Sequence, residues 1–121
     1  MAIVPSVVII DRFQMVALAL SQSLERRDGF EIAGVFYDDA PCTAVAAADL
    51  CPELVLVEMS TGGPGLIHRL RELLPDTKIF ATTGRRTPDE ERAARLAGAD
   101  RYLEKDHASG DLVEAVRQAF G

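Results

Sequence analysis

Charged and hydroxyl side chains follow several short apolar segments of this sequence, each at the point where a segment ends. The side chains at these positions are Asp11, Arg12, Glu58, Ser60, Thr83 and Lys105. Carboxylates can bind cations, while an ammonium group and a hydroxyl can bind an anionic oxygen. If the fold gathers them, the sequence encodes a charged site able to hold an ion or an anionic group.

The segments that precede these residues predict β-strands. Residues 54–57 form a continuous apolar run, which is typical of a strand buried on both faces. Four further strands are predicted at residues 6–10, 30–37, 78–82 and 101–104. Helical spacing of apolar residues predicts helices at 13–26, 44–50, 66–74 and 87–98, and a last helix that begins at Ser109 or Asp111.

Helix boundaries are indicated by capping residues. Thr87 is a candidate cap with Pro88 in the first turn, and Gly98 ends that helix. Asp38 is a candidate cap for the second helix, with Pro41 in its first turn.

Strands that alternate with helices predict a (βα)5 α/β fold, a doubly wound parallel sheet with helices on both faces. Five strands suit the flavodoxin-like strand order 2-1-3-4-5. Since parallel strands deliver their carboxyl ends to one edge, the charged side chains above should converge there.

Composition excludes several classes of protein. The 121 residues suit one domain, and a net charge of −6 argues against direct binding of nucleic acid. No apolar run is long enough to span a membrane and no signal peptide is evident, so we expect a cytoplasmic protein. Cys42 and Cys51 lack metal-site spacing and are expected to be unpaired, acting as small hydrophobic residues.

The pattern resembles the receiver domain of two-component response regulators, a CheY-like fold, over essentially the whole chain. The matching segments are Val8 to Asp11, Pro52 to Met59, Ile79 to Gly84 and Ala97 to Asp106. The Lys105-Asp106 pair is similar to the NarL/FixJ (LuxR-like) group.

The resemblance implies a site chemistry. In the family an aspartate that ends the third strand accepts a phosphoryl group from a histidine kinase, and acids after the first strand hold Mg²⁺. Asp11, Thr83, Tyr102 and Lys105 match the metal acid, the phosphoryl-contacting hydroxyl, the switch aromatic and the phosphoryl-contacting lysine.

Three places depart from the family pattern. Glu58 stands at the phosphoacceptor position and Arg12 stands at the position of a second metal-binding acid, while Ser60 lies in a loop that is one residue shorter than usual. The longer carboxylate disturbs an in-line geometry, and the guanidinium repels a cation. We therefore expect no cofactor and no metal.

The same departures suggest an internal ion network. Glu58 would reach Lys105 and Thr83, while Arg12 would pair with Asp11 or Glu58. The alternative is that Arg12 is solvated and Glu58 is a relic. A network of this kind would hold the domain in one signalling state.

The favoured function is an atypical receiver in transcriptional regulation, independent of phosphorylation and Mg²⁺, that acts by binding proteins. Its partners would be a second copy, a histidine kinase, or an output domain that follows residues 1–121, with no direct nucleic-acid or membrane contact. One alternative is a functional phosphoreceiver that uses Mg²⁺. Another is binding of a small anionic ligand in the crevice. An enzyme is disfavoured because no nucleophile–base pair is evident.

Overall fold

The computed structural model describes residues 4–105 and 111–120. Its strands are β1 (Ser6–Ile10), β2 (Glu31–Phe36), β3 (Leu54–Glu58), β4 (Lys78–Thr83) and β5 (Arg101–Glu104). Its helices are α1 (Gln14–Asp28), α2 (Thr43–Asp49), α3 (Gly63–Leu73), α4 (Pro88–Ala97) and α5 (Asp111–Phe120). Strands and helices alternate throughout, as predicted.

The five strands form one parallel sheet in the order β2-β1-β3-β4-β5. This confirms both the fold class and the predicted strand order. In β3 every residue is buried, because sheet neighbours lie on both sides and helices cover both faces. Glu58 is the last residue of this central strand.

Two apolar layers hold the sheet between its helices. Alternate residues of β3 belong to different layers, since successive side chains of a strand point to opposite faces. Val55 and Val57 pack in a layer with Ile67 and Leu70 of α3. Leu54 and Leu56 pack in the other layer, to which α1 and α5 contribute. The sheet is thereby held rigidly enough to fix where its carboxyl ends lie.

The start of α4 confirms the predicted boundary. The Thr87 hydroxyl accepts a hydrogen bond from the backbone N–H of Glu90 at 3.1 Å, and Pro88 is the first helical residue. At the other end Gly98 has φ 120°, a conformation that favours glycine. The cap and the glycine act as the sequence indicates.

Other boundaries differ from the predictions. Helix α3 begins at Gly63, three residues earlier than predicted, because proline is tolerated in a first helical turn and Pro64 lies there. Helix α1 begins one residue later and ends two residues later than predicted.

The entry to α2 also differs. Pro41 lies outside α2, whose flanking residue is Cys42. Asp38 still organises this entry, since its carboxylate accepts bonds from the Ala40 N–H at 3.1 Å and the Thr43 hydroxyl at 2.8 Å. Of the two candidate starts for the last helix, Ser109 lies outside the described residues.

Two properties bear on the exclusions made from composition. Both Cys42 and Cys51 are free, as predicted, and both are exposed rather than packed in the core. Among the described residues, no helix combines the length and apolar character that a membrane crossing requires.

Candidate functional site

The carboxyl edge of the sheet carries the side chains singled out in the sequence. Asp11, Glu58 and Thr83 are buried there, and the Lys105 side chain is only 8% exposed. Arg12 and Ser60 are exposed at the rim. The carboxyl ends of the strands therefore bring these side chains together as predicted, but the contacts between the side chains differ from those expected.

Lys105 pairs with Asp11. Its Nζ lies 3.0 Å from Asp11 Oδ2, and the two side chains are 8% and 3% exposed. Asp11 Oδ1 also accepts the backbone N–H of Phe13 at 2.8 Å, so both carboxylate oxygens have a partner. A buried charge needs this kind of compensation. The pair joins β1 to the end of β5 across the crevice.

Glu58 is held by its own loop. Its Oε1 accepts hydrogen bonds from the Ser60 hydroxyl at 2.7 Å and the Thr61 hydroxyl at 2.6 Å, while Oε2 accepts the Ser60 backbone N–H at 2.8 Å. Burial raises the pKa of the Glu58 carboxyl. The hydrogen bonds from Thr61 and Ser60 and the nearby Lys105 charge outweigh burial, so the pKa lies below its ordinary value of 4.5. Glu58 is accordingly ionised near neutral pH.

The expected ion network is wrong in its details. The hydrogen bonds of Glu58 go to Ser60 and Thr61 rather than to Lys105 or Thr83. Lys105 acts on Glu58 only through its charge. The physical reason is distance along the chain: hydroxyls two and three residues after a carboxylate reach it within one turn, which requires no long side chain to be ordered.

Arg12 forms no ion pair within the described part of the chain. Its guanidinium lies 5.0 Å from the centre of the Phe13 ring, at the exposed rim. Lys105 Nζ lies 4.7 Å from the same ring. The expected pairing of Arg12 with Asp11 or Glu58 is therefore wrong, and the alternative of a solvated Arg12 is the one observed. Phe13 lies against both cations.

Thr61 is a site residue that the sequence interpretation missed. Besides donating to Glu58, its hydroxyl oxygen accepts the backbone N–H of Arg12 at 2.9 Å. It thus links the loop after β1 to the loop after β3. The sequence spacing indicates this contact, since a hydroxyl residue three positions after a buried carboxylate is well placed to bond to it.

Thr83 and Tyr102 lie next to the crevice and form hydrogen bonds with the loop before α4 and with its first turn. The Thr83 hydroxyl donates to the Arg85 carbonyl at 2.9 Å, rather than pointing to an oxygen at the Glu58 position. Tyr102 is buried; its hydroxyl donates to Glu90 Oε1 at 2.6 Å and accepts the Thr87 N–H at 3.1 Å. Burial and the bond to Glu90 raise the pKa of Tyr102.

The side chains at this edge have partners of their own, which leaves few oxygen ligands free for a divalent cation. Mg²⁺ requires several oxygen ligands in near-octahedral geometry. Here one oxygen of Asp11 binds the Lys105 ammonium group, and the residue after Asp11 is an arginine. The Glu58 carboxylate accepts hydrogen bonds from hydroxyls. Within residues 4–105 and 111–120, no group of three or more acidic, His or Cys side chains could hold a metal.

Curated response regulators are similar to this chain in sequence. The response regulator GacA of Pseudomonas viridiflava is 27% identical over 117 residues, which cover 94% of this chain and 54% of that protein. The chain thus spans about half the length of the curated relatives it matches.

Solved structures of response regulators have the same fold as this chain. A response regulator from Thermotoga maritima superposes with a TM-score of 0.77 at 29% identity, covering 96% of this chain and 97% of that one. The receiver domain of the putative regulator NarL from Mycobacterium tuberculosis gives 0.81 at 21% identity, covering 98% and 97%.

The family model for the response regulator receiver domain matches residues 7–117, which include every element from β1 to most of α5. The alternation of strands and helices, the 2-1-3-4-5 sheet and the acidic, hydroxyl and lysine residues at its carboxyl edge agree with that match. This chain belongs to the response regulator receiver domain family.

Proposed function

We propose that this receiver works as a protein-interaction module whose state does not depend on phosphorylation or Mg²⁺. The observation that carries the proposal is the pairing of Lys105 with Asp11, together with the bonding of Glu58 to Ser60 and Thr61. In a receiver that takes a phosphoryl group, the lysine and the acid must be available to the phosphoryl oxygens and to the metal. Here both are already engaged with each other.

Arg12 supports the same proposal through its charge. At about 4 Å and an effective dielectric near 20, two unit charges interact with roughly 4 kcal/mol, an upper figure for a partly solvated position. The guanidinium is exposed, so solvent reduces this repulsion, but a cation next to Asp11 would still gain no ligand from position 12.

The proposed role is to bind partners, not to catalyse. Candidate partners are a second copy of the domain, a histidine kinase and an output domain in a longer protein that acts in transcription. The length of the curated relatives supports an output domain, because this chain matches only 54% of their length. Residues 1–121 would form a single receiver-like unit, which we expect in the cytoplasm.

A phosphoreceiver that uses Mg²⁺ is the second candidate. Family membership favours it, as does the retained lysine at position 105. It would require Lys105 to leave Asp11 and Glu58 to leave Ser60 and Thr61 before any phosphoryl group could be bound.

Intact-mass spectrometry separates the two candidates. The native protein, E58D and R12D/E58D are incubated with Mg²⁺ and a small acyl phosphate. We expect no adduct on the native protein and a phosphoryl adduct on the double variant, which restores an aspartate acceptor and a second acid. The matched control is the double variant that also carries D11N, which should lose the adduct. A stoichiometric adduct on the native protein would refute the proposed function.

A further inference from the structure

Thr61 occupies an unusual position between the two acidic loops of the site. Its hydroxyl donates to Glu58 Oε1 at 2.6 Å and accepts the Arg12 N–H at 2.9 Å, so one oxygen bonds to the loops that follow β3 and β1. Thr61 and Arg12 are 49 positions apart in the sequence. Within the described residues, no other side-chain hydrogen bond joins these two loops.

The other partner of Glu58 does not have this geometry. The Ser60 hydroxyl and backbone N–H both bond to the Glu58 carboxylate, which closes a turn within one loop. Ser60 therefore satisfies the carboxylate, while Thr61 also connects it to a second element. This difference makes Ser60 a matched control for Thr61.

A link between these loops needs a group that interacts with both. A divalent cation does so by drawing oxygen ligands from each loop, as multi-ligand oxygen sites require. A hydroxyl does so as donor and acceptor at once. The Thr61 hydroxyl meets this requirement without a net charge, and it makes one of the three hydrogen bonds to the Glu58 carboxylate.

We propose that the Thr61 hydroxyl is the internal substitute for a metal ion in this domain: it ties the two loops together and, with Ser60, competes with a metal for the Glu58 carboxylate. This inference rests on the proposed Mg²⁺-independent function and adds Thr61 to Glu58 and Arg12 as a determinant of it. Thr61 is a positioning residue.

The first test is amide exchange in the protein without a metal. In T61V the Arg12 amide loses its acceptor, and its hydrogen exchange should become about tenfold faster, as one hydrogen bond of ordinary strength implies. T61S keeps the hydroxyl and should restore slow exchange. S60A removes a bond to Glu58 but none to Arg12, so its Arg12 amide should exchange at the native rate. If T61V does not fold, T61A removes the same hydroxyl.

The second test is a Mg²⁺ titration followed by thermal denaturation. R12D supplies a second acid and should bind Mg²⁺ weakly. R12D/T61V should bind it about tenfold more tightly, because one of the three hydrogen bonds that compete with a metal for the Glu58 carboxylate is removed, while R12D/T61S should match R12D. Native protein should show no Mg²⁺ shift.

The outcomes separate the two proposals. If the native protein binds Mg²⁺ or takes up a phosphoryl group, the proposed function fails. If the native protein does neither, but T61V leaves both the Arg12 exchange rate and the Mg²⁺ affinity of R12D unchanged, only the role of Thr61 is refuted. T61S behaving like T61V would also refute it, since the hydroxyl would then not be the active group.

Discussion

At the scale of single residues, the buried charges of this domain differ in how they are compensated. Asp11 is compensated by an opposite charge, Lys105, while Glu58 is compensated by neutral hydroxyls and one backbone N–H. An ion pair responds strongly to loss of one partner, because the other charge remains buried. A carboxylate held by hydroxyls responds to pH through its pKa. Each residue therefore gives a different prediction.

Removing the ammonium group of Lys105 should destabilise the domain. In K105M the Asp11 carboxylate stays buried without its cation, and we expect the free energy of unfolding to fall by about 3 kcal/mol or more. The D11N/K105M variant should recover much of this loss, since Asn can still accept the Phe13 N–H. Urea denaturation measures both.

Lys78 provides the control for that experiment. It is exposed and lies 5.3 Å from the centre of the Phe120 ring, so K78M should cost no more than about 1 kcal/mol. If K105M and K78M lower the free energy of unfolding equally, or if D11N/K105M recovers none of the loss, the buried pair has no stabilising role.

Glu58 should make stability depend on pH in the acid range. Its pKa is lowered in the folded state, so its contribution is fully present above the unfolded value, near 4.5, and is lost as the pH falls through the folded pKa. We expect native stability to fall more steeply than that of E58Q below pH 4.5. Denaturation of both proteins over a pH series measures the difference, and parallel curves would show that Glu58 does not contribute.

At the scale of secondary-structure elements, the two edges of the sheet are organised differently. At the carboxyl edge, short contacts join loops that carry the candidate site. At the amino edge, Arg71 near the end of α3 donates to the carbonyls of Leu74, Pro75, Thr77 and Gly98 and to the Asp100 carboxylate. One side chain thereby fastens α3, the start of β4 and the turn before β5.

Arg71 should therefore matter more for stability than its charge suggests. Its ion pair with the half-exposed Asp100 is worth little by itself, whereas the bonds to carbonyls leave several acceptors unsatisfied when they are lost. We expect R71A to lower the free energy of unfolding by about 2 to 3 kcal/mol. R71K should recover little, since an ammonium group lacks the guanidinium geometry.

Arg69 lies on the same helix and is exposed, so R69A should change stability by no more than about 0.5 kcal/mol. Thermal or urea unfolding of R71A, R71K and R69A tests this prediction. Similar stability of R71A and R69A would mean that the Arg71 contacts do not fasten the elements.

At the scale of the whole molecule, the apolar core and the candidate site lie in different parts of the fold. The core layers and the Arg71 contacts hold the sheet and its amino edge, while the candidate site lies at the carboxyl edge. The fold depends on apolar pattern, while the site depends on a few polar contacts.

The sequence by itself determined the architecture. Alternating apolar segments and amphipathic helices predict a (βα)5 fold, and parallel strands must deliver their ends to one edge, so Asp11, Glu58, Thr83 and Lys105 could be placed together in advance. These inferences succeed because burial of apolar surface is non-directional and averages over many residues. Boundary errors of a few residues, as at α3, do not affect them.

Only the tertiary structure decided which polar groups pair. Lys105 could reach either Asp11 or Glu58, and the sequence favoured Glu58, whereas the structure pairs it with Asp11. Thr61 became a site residue because its loop brings its hydroxyl to both Glu58 and Arg12. Hydrogen bonds and ion pairs depend on distances and angles within a few tenths of an ångström, and these are fixed by loop conformation and packing rather than by residue type.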